Sequence, residues 1–206
     1  IVSGDFYWAT KQDDKFYLAV CDSTGHGVPG AFMSLLNIGF LAEAINEKGI
    51  EQPNKVFDFV RDRLTTTISK DGQKDGFDGI LICIDQKKNE ITYAAANNAP
   101  ILIQNGELKE LVADRMPVGV GERKQDFTLY KLDANTSDTL YLYTDGYADQ
   151  FGGPKGKKYK YKPLNELILS GNTNFESQKE TLKLSFENWR GDLEQVDDVC
   201  IIGIRI

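Results

Sequence analysis

The pattern of apolar and polar residues at the start of the chain predicts a hairpin followed by a helix. Residues alternate between polar and apolar over positions 6–8 and 15–20, and the polar stretch 12–15 lies between them, as in an antiparallel β-hairpin. After a glycine-rich loop at residues 23–30, apolar residues recur every three or four positions as far as Gly49, which predicts a buried helix. The stripe expected to face the core consists of Phe32, Leu35, Leu36, Gly39, Phe40 and Ala44.

The rest of the pattern predicts a second helix, a series of strands and two further helices. The second helix runs from residue 53 to about residue 68, with its apolar stripe at helical spacing. Helices grouped in blocks among strands predict an α+β fold with layered antiparallel sheets, in one domain over residues 1–206. The predicted strands are at residues 79–85, 90–96, 99–104, 107–112, 127–133, 138–144 and 199–206, and the further helices are at residues 164–169 and 177–189.

Composition narrows the class of protein. The formal net charge of −7 argues against a nucleic-acid or anionic-membrane binder, because phosphate groups would be repelled overall. Cys21, Cys83 and Cys200 lie in or beside apolar runs without CxxC spacing, so we expect reduced core thiols and a cytoplasmic location. Because the chain begins within a strand-like run, we also expect it to be a piece of a larger protein.

Carboxylates stand at the ends or starts of predicted strands. If the turn at residues 12–15 closes the first hairpin symmetrically, Asp5 lies opposite Asp22, with the two Cβ atoms about 5 Å apart. Like charges at that distance destabilise the fold unless a cation lies between them. Asp145 ends one predicted strand and Asp197 precedes another, and in antiparallel neighbours such ends meet. Both pairs are therefore able to converge on one metal site.

The ligand types in this set favour particular metals and a particular chemistry. Oxygen ligands without histidine or thiolate select hard ions such as Mg²⁺ or Mn²⁺. Two such ions can activate a water molecule and neutralise a phosphate, so the set fits phosphoester hydrolysis. The alternative for any single position is that an aspartate beside a glycine, as in Asp145-Gly146, only forms a turn.

Four motifs in this order resemble the 2C-type metal-dependent protein phosphatases, in their bacterial SpoIIE-like branch. They are SGDFYW, DSTGHGVPGAFMS, YTDGYAD and VDDV, and they span nearly the whole chain. The resemblance implies a four-layer α-β-β-α sandwich with two antiparallel sheets packed face to face. It also implies two Mn²⁺ or Mg²⁺ ions, with Asp22 and Asp145 as the candidate catalytic carboxylates. The implied metal ligands are Asp5, Asp22, the Ser23 carbonyl, Asp145 and Asp197, with Asp198 as an alternative or supporting ligand.

Some positions depart from the pattern of the family. Asn97 and Asn98 occupy a place where relatives often have Gly-His or Gly-Asp, which argues against a third metal site. Asp149 is a possible further ligand, although a role in the first turn of a helix is favoured. The arginine that binds phosphate in eukaryotic relatives has no counterpart here, so substrate affinity is expected to depend on the metals or on a partner surface.

Two further features have open interpretations. His26, the only histidine, is either a general acid for the leaving serine oxygen or a structural residue of the glycine-rich loop. The segment Lys155 to Lys162 contains five lysines and is either a docking surface for an acidic or phosphorylated partner or a solvated loop.

Together these observations predict an Mg²⁺- or Mn²⁺-dependent phosphoserine and phosphothreonine protein phosphatase that uses a metal-bridging hydroxide. The resemblance implies an upstream sensor domain in the same chain and, as leading candidate substrate, a phosphorylated anti-sigma-factor antagonist of the STAS type. Neither nucleic acid nor direct membrane contact is expected, although a membrane-anchored sensor would fit. The alternatives are a catalytically silent signalling module on the same fold and a two-metal hydrolase of nucleotides or nucleic acid.

Overall fold

The computed structural model describes residues 3–67, 75–123, 125–171 and 174–206. The α+β class is confirmed, with helices in blocks among antiparallel strands. The strands are β1 (Asp5–Gln12), β2 (Lys15–Ser23), β3 (Gly76–Asp85), β4 (Glu90–Ala96), β5 (Ile101–Gln104), β6 (Glu107–Glu110), β7 (Val118–Gly119), β8 (Tyr130–Leu132), β9 (Thr139–Tyr143), β10 (Phe151–Gly152), β11 (Lys157–Lys158) and β12 (Ile201–Arg205). The helices are α1 (Gly27–Ala42), extended by the π-helical turn Glu43–Glu47, α2 (Pro53–Thr67), α3 (Gly146–Asp149), α4 (Tyr161–Gly171) and α5 (Phe175–Arg190).

The strands form two main antiparallel sheets. The first has the order β1-β2-β3-β4-β8, with the short β7 paired to the start of β3. The second has the order β12-β9-β5-β6, and β10 and β11 form a separate small hairpin. Within the first hairpin Asp5 pairs with Asp22 and Gln12 with Lys15, which confirms the predicted register.

Three apolar clusters place these elements in four layers. Leu18, Ile80 and Ile82 of the first sheet pack with Leu140 and Leu142 of the second, so the two sheets face each other. The opposite face of the first sheet is covered by α1 and α2, and the opposite face of the second by α4 and α5. The alternation of side chains along each strand explains this arrangement, because each sheet supplies apolar residues to both of its faces.

The buried face of α1 differs from the prediction. Phe32 and Leu35, expected in the core, are 64% and 66% exposed, whereas Ser34 and Asn37 are buried. The reason is that the polar side chains of this helix bind the loops beneath it, so its N-terminal half turns its apolar stripe to solvent. Only towards the C-terminal end does the expected stripe reach the core, at Phe40 and Ala44.

The same helix passes a composition test for a membrane span. Within Gly27–Glu47 an 18-residue stretch reaches a mean hydropathy of 1.5, but 44% of that stretch is buried inside the domain. Its buried residues pack on the first sheet and on α2, as in the core helix of a globular domain.

The other elements lie close to their predicted positions and differ from the prediction mainly in length. The apolar stripe of α2 is buried as predicted, and residue 68, the predicted end, lies outside the described residues. The strand predicted at residues 127–133 is reduced to β8, because Phe127 and Thr128 instead bind side chains of neighbouring segments. The helix predicted at residues 164–169 begins three residues earlier, as α4.

Candidate metal centre

Three carboxylates converge where the two sheets meet at one edge. Oxygen atoms of Asp22, Asp145 and Asp197 lie within 4.8 Å of one another, and all three side chains are partly exposed. Asp22 is near the end of β2, Asp145 follows β9 by two residues, and Asp197 precedes β12. Because β9 and β12 are antiparallel neighbours, with Tyr143 opposite Ile201, the end of one strand meets the start of the other, as predicted.

Asp5 joins this cluster from β1. It pairs with Asp22 across the hairpin, and its Oδ2 accepts a hydrogen bond from the Thr144 hydroxyl at 2.5 Å. Its Oδ1 is buried without a hydrogen-bond partner among the described residues, and the same holds for Oδ1 of Asp145. Buried carboxylate oxygens normally have partners, so two such atoms beside one cluster fit a site that binds a cation.

Asp198 stabilises the cluster through two hydrogen bonds to its neighbours. Its carboxylate accepts a hydrogen bond from the Gly4 amide at 2.9 Å, and its own amide donates to Asp197 Oδ1 at 2.8 Å. It therefore holds the residue before Asp5 and orients Asp197. Its backbone also packs against Gly146, where an added Cβ would lie 1.9 Å from the Asp198 carbonyl oxygen, so only glycine fits.

The Ser23 end of β2 is held by α1. The Ser23 hydroxyl accepts a hydrogen bond from Asn37 Nδ2 at 3.0 Å and lies 3.2 Å from the Ser34 hydroxyl. The Ser34 hydroxyl also donates to the Gly4 carbonyl at 2.6 Å. Two buried side chains of α1 therefore bind the residues next to Asp5 and Asp22. The apolar pattern gave no sign of this contact, because Ser34 and Asn37 are polar and lie outside the predicted stripe.

Burial, and after it the mutual repulsion of the carboxylates, disfavours the ionised cluster when no cation is bound. Burial raises the pKa of Asp5 to about 7, with further increases from the neighbouring carboxylates and an opposing contribution from the Thr144 hydrogen bond. Burial also raises the pKa of Asp22 to about 8, followed by the charges of Asp5, Asp145 and Asp197. The pKa of Asp145 is raised for the same reasons. A bound divalent cation would remove this penalty and keep the carboxylates ionised.

A further carboxylate, Asp78, belongs to the same edge and was not assigned from the sequence. It lies on β3 directly opposite Asp22, and burial raises its pKa. Its Oδ1 accepts a hydrogen bond from Asn97 Nδ2 at 2.8 Å, just past the end of β4. Asp5, Asp22, Asp78 and Asn97 thus form one row across four neighbouring strands. The Asn97 amide thus holds the carboxylate of Asp78. From the sequence, Asn97 had served only as an argument against a third metal site.

The cleft beside this row has a volume of about 280 Å³ and includes His26. The imidazole is exposed and lines the cleft together with Asp22, Asp78 and Asp197. His26 is the N-cap residue of α1, yet its side chain makes no capping hydrogen bond. Its position is therefore compatible with contact to a substrate, and a structural role as a side-chain cap has no support.

The lysine-rich segment lies close to Asp145, because the charge of Lys158 acts on the pKa of that carboxyl. β10 and β11 bracket its first part, and Lys158 forms an ion pair with Asp149 at 2.7 Å. Asp149 lies in the first turn of α3, as favoured, and points to this lysine. Its charge still contributes to the raised pKa of Asp145.

The sequence profile of the SpoIIE family, described as Stage II sporulation protein E, matches residues 12–206. The chain belongs to the SpoIIE family. No curated protein sequence matches the chain.

Several solved structures have the same fold. The PP2C domain of SiaA from Pseudomonas aeruginosa has a TM-score of 0.90 and 26% sequence identity, covering 100% of this chain and 81% of that chain. The PP2C phosphatase domain of Bacillus subtilis SpoIIE, solved with a fragment of its regulatory domain, has a TM-score of 0.78 and 20% identity, covering 100% and 57%. The RsbU and RsbW domains of a Mycobacterium tuberculosis protein give 0.76 and 22%, covering 97% and 54%. The predicted resemblance is confirmed for family and fold.

Proposed function

We propose that this SpoIIE-family domain is an Mg²⁺- or Mn²⁺-dependent phosphoserine and phosphothreonine protein phosphatase. The observation that carries the proposal is the convergence of Asp22, Asp145 and Asp197, with their oxygens within 4.8 Å of one another. The partnerless buried oxygens of Asp5 and Asp145 support it, because they provide ligand atoms that nothing in the described part of the chain satisfies. The likeness to PP2C phosphatase domains supports the reaction class.

The donor set selects the metal and suggests the division of labour. Asp5, Asp22, Asp145, Asp197 and the Ser23 carbonyl would hold a pair of hard divalent cations. Such a pair supplies an activated water molecule and charge neutralisation for an in-line displacement at phosphorus.

The remaining residues of the centre have supporting roles in this proposal. Asp198 and Thr144 fix the orientation of Asp197 and Asp5 through their hydrogen bonds. His26 faces the cleft and would donate a proton to the leaving serine oxygen.

The cellular context belongs to the same proposal. An RsbU domain and an RsbW domain occur together in one neighbouring structure, which supports a role alongside a protein partner. A phosphorylated STAS-type antagonist and an upstream sensor segment are suggested by the resemblance of the sequence to SpoIIE-like phosphatases. A cytoplasmic location is suggested by the three cysteines, which we expect to be reduced thiols.

The test is hydrolysis of p-nitrophenyl phosphate and of a phosphoserine peptide by the purified chain with added Mn²⁺. We expect activity that EDTA abolishes and that Mn²⁺ restores. Thiol alkylation should leave it unchanged, because burial raises the pKa of Cys21 and Cys83 and neither lies in the cleft. Activity that survives metal removal, or that alkylation abolishes, would overturn the mechanism. Absence of activity on every phosphoprotein tested, despite Mn²⁺ binding, would favour the silent signalling module.

A further inference from the structure

The row of polar residues along the sheet edge continues beyond Asn97. Ala96 forms a parallel β-bridge with Asp114, and the Asn97 amide donates to the Asp114 carbonyl at 2.8 Å. The next residue, Arg115, therefore stands beside Asn97 at the end of the row. The Asp114 side chain fixes this segment, because its carboxylate accepts hydrogen bonds from the amide and the hydroxyl of Thr128 at 2.8 and 2.9 Å.

A second cavity lies at this end of the row. Its volume is about 210 Å³, and it is lined by Asn97, Arg115, Met116, Pro117, Glu122 and Arg123. Asn97 connects it to the metal cleft, because the Asn97 side chain is hydrogen-bonded to Asp78, which lines that cleft.

The two arginines of this cavity have no partner among the residues that the structure describes. Neither Arg115 nor Arg123 forms an ion pair or a hydrogen bond with another described residue, whereas Arg61 and Arg63 on α2 each pair with a carboxylate. The two guanidinium groups outnumber the single carboxylate of the cavity, that of Glu122. In a chain with a net charge of −7, two unpaired arginines beside a metal cleft mark a place where an anionic group from outside can bind.

The register of the sheet gives the distance between the two sites. Asp22, Asp78, Asn97 and Arg115 occupy successive strand positions, and neighbouring strands are about 4.8 Å apart, so the Cα atoms of Asp22 and Arg115 are roughly 14 Å apart. An extended peptide advances about 3.3 Å per residue, and an arginine side chain reaches back several ångströms. A substrate whose phosphoserine lies in the metal cleft would thus present a residue about two to four positions away to this cavity.

We infer that the cavity of Arg115 and Arg123 is a specificity subsite that binds an acidic side chain of the substrate protein, two to four residues from the phosphorylated serine. The inference rests on the proposed phosphatase function and names the kind of substrate that the centre prefers. Arginine suits this task because its planar guanidinium binds a carboxylate through two parallel hydrogen bonds. A peptide can run along the row of polar residues in either direction, so the probe carries acidic residues on both sides of the phosphoserine.

The test compares two phosphoserine peptides of equal length. One carries glutamate at the second to fourth positions on both sides of the phosphoserine, and the other carries glutamine there. We expect the wild-type chain with Mn²⁺ to show a kcat/KM roughly three- to tenfold higher for the glutamate peptide, through a lower KM. In the variant Arg115→Gln/Arg123→Gln this ratio should fall to about one. A matched control, Lys87→Gln/Lys88→Gln, makes the same charge change in the turn between β3 and β4, at the opposite end of β3 from Asp78, and should keep the wild-type ratio.

The outcomes separate the subsite from the function on which it rests. A wild-type ratio near one, or a ratio that the arginine variant retains, overturns the subsite while leaving the phosphatase intact. An equal fall in the lysine control would show that only net charge matters, which also overturns it. If the wild-type chain hydrolyses neither peptide, the proposed function fails. Fluorescence anisotropy of the labelled peptides then decides the subsite: tighter binding of the glutamate peptide to wild type than to the arginine variant supports it, and equal binding overturns it.

Discussion

At the scale of single residues, His26 offers the clearest test of proton transfer. The imidazole lies in the cleft without a capping hydrogen bond, so its removal should disturb chemistry more than folding. We expect His26→Ala to slow hydrolysis of a phosphoserine peptide by about 10²-fold or more, because a serine alkoxide is a poor leaving group. Hydrolysis of p-nitrophenyl phosphate should fall far less, because nitrophenolate leaves without a proton. The measurement is kcat for both substrates at saturating Mn²⁺.

The comparison of the two substrates also separates this role from its alternative. A structural residue of the loop would affect Asp22 and Ser23 in the same way whatever the leaving group. Equal losses on both substrates would therefore indicate that His26 acts in loop structure or metal positioning. If raising the Mn²⁺ concentration restores the activity of the variant on neither substrate, a simple loss of metal affinity is excluded.

The acidic residues differ in how far the sequence could place them. Asp5 and Asp22 were predictable, because a short turn fixes the register of a hairpin and the pairing follows by counting. Asp78 was not predictable, although it sits opposite Asp22, because its register with β2 depends on how two helices return the chain to the sheet. The position of Arg115 depends on a further pairing that the sequence pattern does not show, the isolated bridge between Ala96 and Asp114.

At the scale of elements, α1 shows where periodicity alone fails. Its apolar residues recur at helical spacing over almost its whole circumference, so a pattern cannot tell which face is buried. Ser34 and Asn37 decide the matter, because their side chains form buried hydrogen bonds with the Gly4 carbonyl and the Ser23 hydroxyl. In α2, with a single apolar stripe and charged residues opposite it, the same reasoning identified the buried face correctly.

The segments around Gly4 and Ser23 adjoin the acidic residues and are called the metal loops here. Their hydrogen bonds with α1 lead to a prediction at this scale. We expect Ser34→Ala to lower the free energy of unfolding by about 0.5–1.5 kcal/mol, because the Gly4 carbonyl loses one of its two buried donors and keeps the Ser23 amide. The Mn²⁺ concentration for half-maximal activity should rise, since Gly4 and Ser23 adjoin Asp5 and Asp22. Urea denaturation and a Mn²⁺ titration of activity measure the two effects.

The matched control is Ser170→Ala on α4. That hydroxyl also donates to a backbone carbonyl of its own helix, Leu167, but it is exposed and distant in sequence from the acidic motifs. The substitution should lower the free energy of unfolding by less than about 0.5 kcal/mol and leave the Mn²⁺ dependence of activity unchanged. A Ser34 variant that behaves like this control would show that α1 does not hold the metal loops.

At the scale of the whole molecule, the acidic edge couples folding to pH. In the folded, metal-free chain the pKa values of Asp5 and Asp22 are about 7 and 8, against 3.8 for the unperturbed group. Because these values are raised, the folded state binds more protons than the unfolded state between these limits. The stabilisation from protonated carboxyls is fully present below about pH 3.8 and is lost as the pH rises through 7 to 8. The metal-free chain should therefore melt at progressively lower temperature from pH 5 to pH 8.5.

Bound Mn²⁺ should reverse this trend, because the metal needs the ionised carboxylates that the metal-free fold disfavours. A ligand present at 100 times its Kd and bound only to the folded state adds about 2.7 kcal/mol, and each kcal/mol moves the Tm of a domain of this size by roughly 2–4 °C. Saturating Mn²⁺ should raise the Tm by roughly 5–10 °C at pH 8, and by less at pH 5. Thermal melts with EDTA or Mn²⁺ at each pH provide the measurement.

The variant Asp22→Asn makes this prediction specific to the acidic cluster. It removes one charge from the repelling group and one ligand from the site, so at pH 8 its metal-free form should melt no lower than wild type. The same change should remove most of the Mn²⁺ shift and flatten the pH dependence, since the group with the higher pKa no longer titrates. Asp192→Asn provides the control, because that exposed carboxylate lies in the turn after α5, outside the metal cleft, and should leave the melting curves at wild-type values. If metal-free Asp22→Asn melts much lower than wild type while the Mn²⁺ shift persists, Asp22 serves the fold and the metal centre lies elsewhere.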